Sequence, residues 1–258
     1  GPAGFIDKVQ HKLGGYTWNL YDESAGDFSI VASEYHEDGT LHTAQFRFQN
    51  AFERQDTSSR QVTDGVIVDD TGYMVRAVHL DHRIPCLAFA IEEIQHLNIW
   101  RNRVTDMGLG IGPWLQDLKQ AIRRGAHDDT QITATWRSDG DLREATHCLG
   151  DLRQLVRISA GQKVAYVTDI GFTPENVEKV VSLADGADYL FIETPFLHAD
   201  AQIAARKMHL TAHQAGTIAR RANVRKFEQF HFSPRYEGYA DSLYQEASLA
   251  ARQQGHSG

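Results

Sequence analysis

The sequence predicts an α/β protein whose C-terminal half builds a parallel sheet covered by helices. Two observations predict it. Strand-like and helix-like stretches alternate from Lys163 to Phe232: KVAYVTD, a helix opened by Thr173-Pro174-Glu175, DYLFIET, a helix over 209–222, then KFEQFHF. Strand, helix, strand implies a parallel crossover in a sheet with helices on its faces. The N-terminal part reads differently. FSIVASEYH and GTLHTAQFRFQNAF alternate apolar and polar residues over 28–52, with Gly39 at the turn, as antiparallel strands do.

The elements follow in order. Phe5, Ile6, Val9 and Leu13 sit at helical spacing, and Gly14-Gly15 closes that helix. GVIVDD and GYMVRAVHL form a second hairpin that turns at residues 69–72, and the strand CLAFAIEE follows Pro85. GLGIGPWLQDLKQAIRRG, residues 108–125, is a glycine-rich loop running into a short helix, with Pro113 suited to its first turn. Residues 126–162 are polar and show no clear period. Thr173 can cap the next helix, Pro174 fits its first position, and Glu175 and Glu178 sit near its positive dipole end. Val177, Val180, Val181 and Leu183 then face inward. One domain is expected over residues 1–258, ending in a polar tail over about 246–258.

Composition narrows the chemistry. A formal charge of −8 argues against non-specific nucleic-acid binding, yet permits a local basic patch or a cationic metal centre. No apolar run approaches the roughly 20 residues that span a bilayer, so no membrane partner is expected. GPAGFIDKV lacks the basic and apolar regions of a secretory signal. Cys86 and Cys148 are too few for a disulfide framework, which points to the cytoplasm. With thirteen histidines and so little thiol, a metal site would use imidazole and carboxylate, a donor set suited to zinc, manganese or iron.

In parallel sheets ligands gather beyond the carboxyl ends of the strands, and Asp169, Glu193 and His231 fall there. His231 stands between Phe230 and Phe232, and Ser233-Pro234 then breaks the strand. Singly, each residue has an ordinary structural reading: an aspartate in a turn, a satisfied core histidine. Together they offer what a dication needs, with zinc bonds of ~2.0–2.2 Å. An aspartate can also bridge two metals about 3.5–4 Å apart, the arrangement used for in-line attack at phosphorus.

Four stretches carry a family resemblance: HLDHRIPCLAFAIEE, GLGIGPWLQDLKQAI, YVTDIGF with ADYLFIETPF, and MHLTAHQAGTIARRANV with FHFSPRY. In order and spacing, residues 1 to about 236 resemble the metallo-β-lactamase superfamily, in particular its ribonuclease Z branch, which matures the 3′ end of precursor tRNA. The resemblance implies an αβ/βα four-layer sandwich, here N-terminally truncated, with a dinuclear zinc site on the sheet edges; manganese or iron are alternatives. It implies His82, Asp169 and His231 as metal ligands, Asp169 bridging. It implies His209 with Glu193 as the catalytic pair that stabilises the scissile phosphate and helps the leaving oxygen depart. The SPRY turn would lock the end of the His231 strand, with Arg235 bonded to backbone or a carboxylate.

The chain also departs from the family. The superfamily's His-x-His-x-Asp-His loop is not found, and VHLDH at residues 78–82 is not a damaged copy, because a strand follows it where a helix should. Met208 stands where glycine is usual, and Ile170 where threonine is usual. His82 with Asp169, and Asp169 with His231, give each ion two protein ligands where zinc ordinarily takes three or four. The expectation is therefore a fragment, inactive alone, whose missing N-terminal segment was removed or lies on another chain.

Lys119, Arg123 and Arg124 fall where ribonuclease Z enzymes carry a tRNA-gripping insertion and are candidate phosphate contacts, or else a solvated basic face. Trp100 and Trp114 could stack on bases or simply fill a core. The expected activity is that of a metal-dependent hydrolase, a ribonuclease Z-like phosphodiesterase that removes 3′ trailers from precursor tRNA as a homodimer. Its rivals are a hydrolase of the same fold acting on a small ester, phosphoester or lactone, and a scaffold that has lost its metals.

Overall fold

The computed structural model describes residues 1–19, 26, 28–138 and 140–252. Where one domain is expected, contacts group the chain into two compact units. One comprises Gly1–Val68, Val75–Ile91 and Lys163–Gly258; the other comprises Asp69–Met74 and Glu92–Gln162.

In the first unit, helix α1 (Phe5–Gly14) lays Ile6, with Phe5, Val9 and Leu13 beside it, on Ala32, Ala44 and Phe46 of a small sheet. Strands β1 (Ser29–Tyr35) and β2 (Thr40–Arg47) form the expected hairpin, Tyr35 opposite Leu41. A third strand, β3 (Arg54–Gln61), pairs with β2. RQDTSSRQ has no apolar residue and lies almost wholly exposed, so no period-two signal marks it. Strands β4 (Val66–Asp69), β5 (Tyr73–Asp81) and β6 (Pro85–Glu93) follow as expected.

The second unit contains β7 (Gln95–Ile99), α2 (Arg101–Asp106), α3 (Trp114–Arg123), β8 (Gln131–Ser138), β9 (Asp141–Cys148), α4 (Leu149–Leu152) and β10 (Val156–Ala160). The stretch without a period is thus a hairpin, β8 with β9, followed by β10 paired antiparallel to β7. Its core holds Leu97, Val104, Trp114, Leu118, Ile122 and Leu149. The glycines before α3 have a packing reason. A Cβ on Gly110 would lie 2.1 Å from the Trp136 ring, and one on Gly112 would lie 2.2 Å from the Thr135 carbonyl oxygen.

Strands β11 (Lys163–Val167), β12 (Tyr189–Glu193) and β13 (Lys226–Phe230) are parallel, joined through α5 (Pro174–Ala184) and, after α6 (Ala201–Lys207), α7 (Ala212–Arg221). They extend a six-stranded sheet of order β13-β12-β11-β6-β5-β4. Ala165, Val167, Leu190 and Ile192 pack against Val177 and Val180 of α5 and Ala215 and Ile218 of α7. Thr173 caps α5, and Thr211 with Gln214 forms a capping box on α7. The cap explains why α7 begins at Ala212 rather than at His209.

The expected polar tail needs correction. Residues 240–252 form helix α8 (Ala240–Arg252), with Leu243, Ala247 and Ala250 buried. Small side chains hide its apolar stripe from a hydropathy reading, and Gly216 of α7 lets the α8 backbone approach closely. Residues 253–258 of that tail lie outside the described residues. No helix among the described residues is long and apolar enough to cross a membrane.

Gly216→Ala tests this seating. In an open helix interior the change would stabilise by about 1 kcal/mol. Here the new Cβ would meet the Ala247 carbonyl oxygen at 2.1 Å. Urea unfolding is expected to show a net loss of about 1–3 kcal/mol; a gain would mean that α8 is not seated on α7.

Candidate metal centre

Loops at one end of the sheet converge. His82 lies in the turn between β5 and β6, Asp169 follows β11, Glu193 ends β12, His209 precedes the cap of α7, and His231 follows β13.

Glu193 is completely buried, and both its oxygens are occupied. Oε1 accepts from the backbone N–H of Ile170 at 3.2 Å and of Leu210 at 3.1 Å. Oε2 meets Nδ1 of His209 at 2.8 Å and Nδ1 of His231 at 3.2 Å. A carboxylate oxygen has about two lone pairs, so Glu193 has little left to offer a cation. It fixes imidazoles instead: with Nδ1 bound to Glu193, His209 keeps Nε2 for other chemistry.

Asp169 differs. Its side chain is 37% exposed. Oδ1 accepts from the Thr168 hydroxyl at 3.1 Å and lies 2.9 Å from His231 Nδ1. Oδ2 lies 3.9 Å from His82 Nε2. His82 Nδ1 donates to the Met208 carbonyl at 2.6 Å, so in the neutral ring the nitrogen facing Asp169 carries the lone pair. The hydrogen bond to Glu193, aided by the charge of Asp169, raises the His231 pKa despite partial burial. Nearby, the Cys86 thiol donates to the Asp169 backbone carbonyl at 3.1 Å. Burial pushes that thiol up to about 11, so it stays neutral.

The structure therefore brings His82, Asp169, Glu193, His209 and His231 together. Ligand atoms of Asp169, Glu193, His209 and His231 lie within 4.8 Å of one another, and the His82 and His209 rings are 4.7 Å apart. This cluster can hold a metal ion. The fit is partial. The 3.9 Å between His82 Nε2 and Asp169 Oδ2 suits one ion with bonds of ~2.0–2.2 Å to each. With Glu193 spent, two ions held by His82 with Asp169 and by Asp169 with His231 would each have two protein ligands, where zinc ordinarily takes three or four.

Several supports carried no strong signal in the sequence. Arg83, Met208 and His231 all adopt left-handed backbone, φ 62°, 59° and 62°. Such strain collects where surrounding bonds over-determine the chain. At Met208 this conformation is the reason glycine suits the position. Asn176, 2% exposed, bonds the Asp81 N–H at 3.0 Å and the carbonyls of Asp81 and Gly171 at 2.9 Å each. It ties α5 to the strand end that carries His82. A polar residue on the inner stripe of α5, one turn before Val180, was the available clue. The SPRY turn acts as a clamp: Tyr236 accepts from the Leu197 N–H at 3.2 Å and donates to Asp200, while Arg235 pairs with Asp200 at 3.1 Å.

Other candidates lie elsewhere. His79 bonds the Tyr35 carbonyl at 2.8 Å and takes no part in the cluster. Lys119, Arg123 and Arg124 belong to the second unit. Arg123 packs on Gly72 and lies 3.8 Å from Glu93, Arg124 is exposed, and Lys119 lines an open cavity of about 410 Å³ with Arg101. Trp114 is core, with its indole donating to the Gly110 carbonyl.

Ribonuclease Z of Deinococcus radiodurans is 31% identical over 236 residues, covering 92% of this chain and 66% of that protein. The chain belongs to the ribonuclease Z family. Ribonuclease Z proteins of Thermobifida fusca and Brevibacillus brevis are each 31% identical, over 77% and 75% of the chain. The chain spans 54–66% of the length of these three relatives. No family model matches it. Among solved structures, human tRNase Z, short form, aligns with 67% of the chain at 20% identity and TM-score 0.37. A metallo-beta-lactamase fold protein of Bacillus subtilis aligns with 73% at 14% and 0.40.

Asn176→Ala is expected to cost roughly 1–3 kcal/mol in urea unfolding, because the buried Asp81 and Gly171 backbone groups lose their partner. An unchanged midpoint would show that Asn176 does not anchor the His82 turn.

Proposed function

We propose that the protein to which this chain belongs is a metal-dependent phosphodiesterase of ribonuclease Z type, removing 3′ trailers from precursor tRNA. One observation carries the reading: His82, Asp169 and His231, far apart in sequence, meet beside a His209–Glu193 pair whose imidazole has one nitrogen uncommitted.

In this reading His82, Asp169 and His231 would hold zinc, or manganese or iron in its place. Such ions supply water activation and charge neutralisation at phosphorus. His209, protonated on both ring nitrogens, would set its Nε2–H against the scissile phosphate and deliver that proton to the leaving oxygen, while Glu193 would hold Nδ1–H and stabilise the imidazolium. Further ligands would come from polypeptide beyond this cluster, so the chain alone is proposed to bind metal weakly and to be inactive. A cytoplasmic homodimer is part of the proposal. The two described cysteines, Cys86 and Cys148, are free, as a reducing compartment would allow.

The test uses the full-length protein and a 3′-extended tRNA. His209→Ala is expected to lower kcat by roughly 10²–10⁴-fold with metal content unchanged; loss of metal would overturn its role. Asp169→Ala is expected to lose metal and activity together. Hydrolysis of small esters without cleavage of the tRNA would replace the phosphodiesterase reading.

A further inference from the structure

Helix α8 carries two carboxylates, Asp241 in its exposed first turn and Glu246 in its middle. A glutamate inside a helix ordinarily stays solvated. Glu246 is instead half-buried, next to Ala247, which packs with Leu243 and with Ala212 of α7. Its Oε1 accepts the backbone N–H of His198 at 2.8 Å and that of His213 at 3.0 Å. His198 opens a single turn of 3₁₀ helix, and His213 is the second residue of α7. The first N–H groups of a helix have no partner within it, and a carboxylate suits its positive end.

One acceptor thus joins two segments, and each leads to the candidate metal centre. The first runs back through Leu197 and Phe196 to Glu193; the second runs back through Thr211 and Leu210 to His209. They lie side by side. Phe196 and Thr211 form a parallel bridge, the Ala212 N–H donates to the Phe196 carbonyl at 2.7 Å, and His198 Nδ1 lies 3.2 Å from the Thr211 hydroxyl. At the inner end Glu193 binds the Leu210 N–H at 3.1 Å and His209 Nδ1 at 2.8 Å. Glu246 closes the outer end. A cap that served stability alone would bind α7 only; Glu246 also binds the segment that descends from Glu193.

We propose that Glu246 is a positioning residue for His209. By holding residues 198 and 213 on one oxygen, it fixes how the His209 segment lies against the Glu193 segment, and so where His209 Nε2 stands. A carboxylate on the last helix, outside the metal cluster, thereby completes the grip that the buried carboxylate makes from within. The proposal rests on the role given to His209 under the proposed function.

The first measurement needs no substrate. In the metal-free, full-length protein labelled with nitrogen-15 at histidine, the His209 Nδ1 proton reports the bond to Glu193; its loss in His209→Ala identifies it. Glu246→Ala is expected to speed exchange of that proton with solvent by about tenfold or more. Glu246→Gln, whose amide oxygen can still accept both N–H groups, should keep the rate within about threefold of the unsubstituted protein. The second measurement is cleavage of a 3′-extended tRNA. Glu246→Ala should lower kcat by about 10–100-fold with KM and metal content unchanged, and Glu246→Gln should restore most of it. If Glu246→Ala does not fold, Glu246→Asp, one methylene shorter, replaces it, with effects of about threefold in the same direction. A lower Tm with exchange and kcat unchanged would overturn the proposal, as would a loss in Glu246→Gln as large as in Glu246→Ala. Failure of the unsubstituted protein to cut tRNA would overturn the functional reading instead, and the exchange rates would still decide whether Glu246 positions His209.

Discussion

The site depends on a buried carboxylate that must not be left unpaired. An isolated ionised carboxylate in an apolar interior is costly enough that it would sooner take up a proton. Glu193 avoids this through four contacts drawn from separate segments: Ile170 after β11, His209 and Leu210 before α7, and His231 after β13. Displacing any one of them removes compensation from a charge that cannot reach water. The loops at that end of the sheet are therefore held to one another by the requirement to keep Glu193 satisfied, and a partly satisfied network of this kind is worse than an apolar one.

From this follows a division of labour between two carboxylates. Glu193 is saturated and fully enclosed, so it orients imidazoles. Asp169 is partly exposed, accepts one side-chain donor from its own segment, and faces a nitrogen of His231 on one oxygen and of His82 on the other. Grouping the two acids by proximity alone would make both metal ligands. Counting lone pairs separates them, and assigns to Asp169 the outward position where a cation would be reached.

Much of this could be read from the residues, and the failures have physical causes. VAYV and YLFI are continuous apolar runs although only the face of Ala165, Val167, Leu190 and Ile192 is fully buried and Tyr166 is 46% exposed, and those runs mark the strand ends and with them Asp169, Glu193 and His231. His82 sits in a turn and His209 just ahead of a cap, positions without periodicity, and only the family resemblance reached them. Strand β3 is polar throughout, and β9 is largely exposed, so neither announces itself. Helix α8 buries alanines, which look neutral on any hydropathy scale. Arg123 lies against Gly72 and 3.8 Å from Glu93, contacts that leave no pattern in the sequence.

The left-handed residues show how the geometry is maintained. A non-glycine residue in this region costs about 1–2 kcal/mol, and Arg83, Met208 and His231 all accept that cost around one cluster. Each is held by bonds that a relaxed backbone would forfeit. The Arg83 guanidinium donates to the Arg206 carbonyl at 2.5 Å, its N–H donates to Asp81 at 2.7 Å, and the Met208 carbonyl fixes the His82 tautomer. His231 is locked from both sides, by Glu193 within and by the turn that begins at Ser233. The strain is thus met by hydrogen bonds within the fold itself.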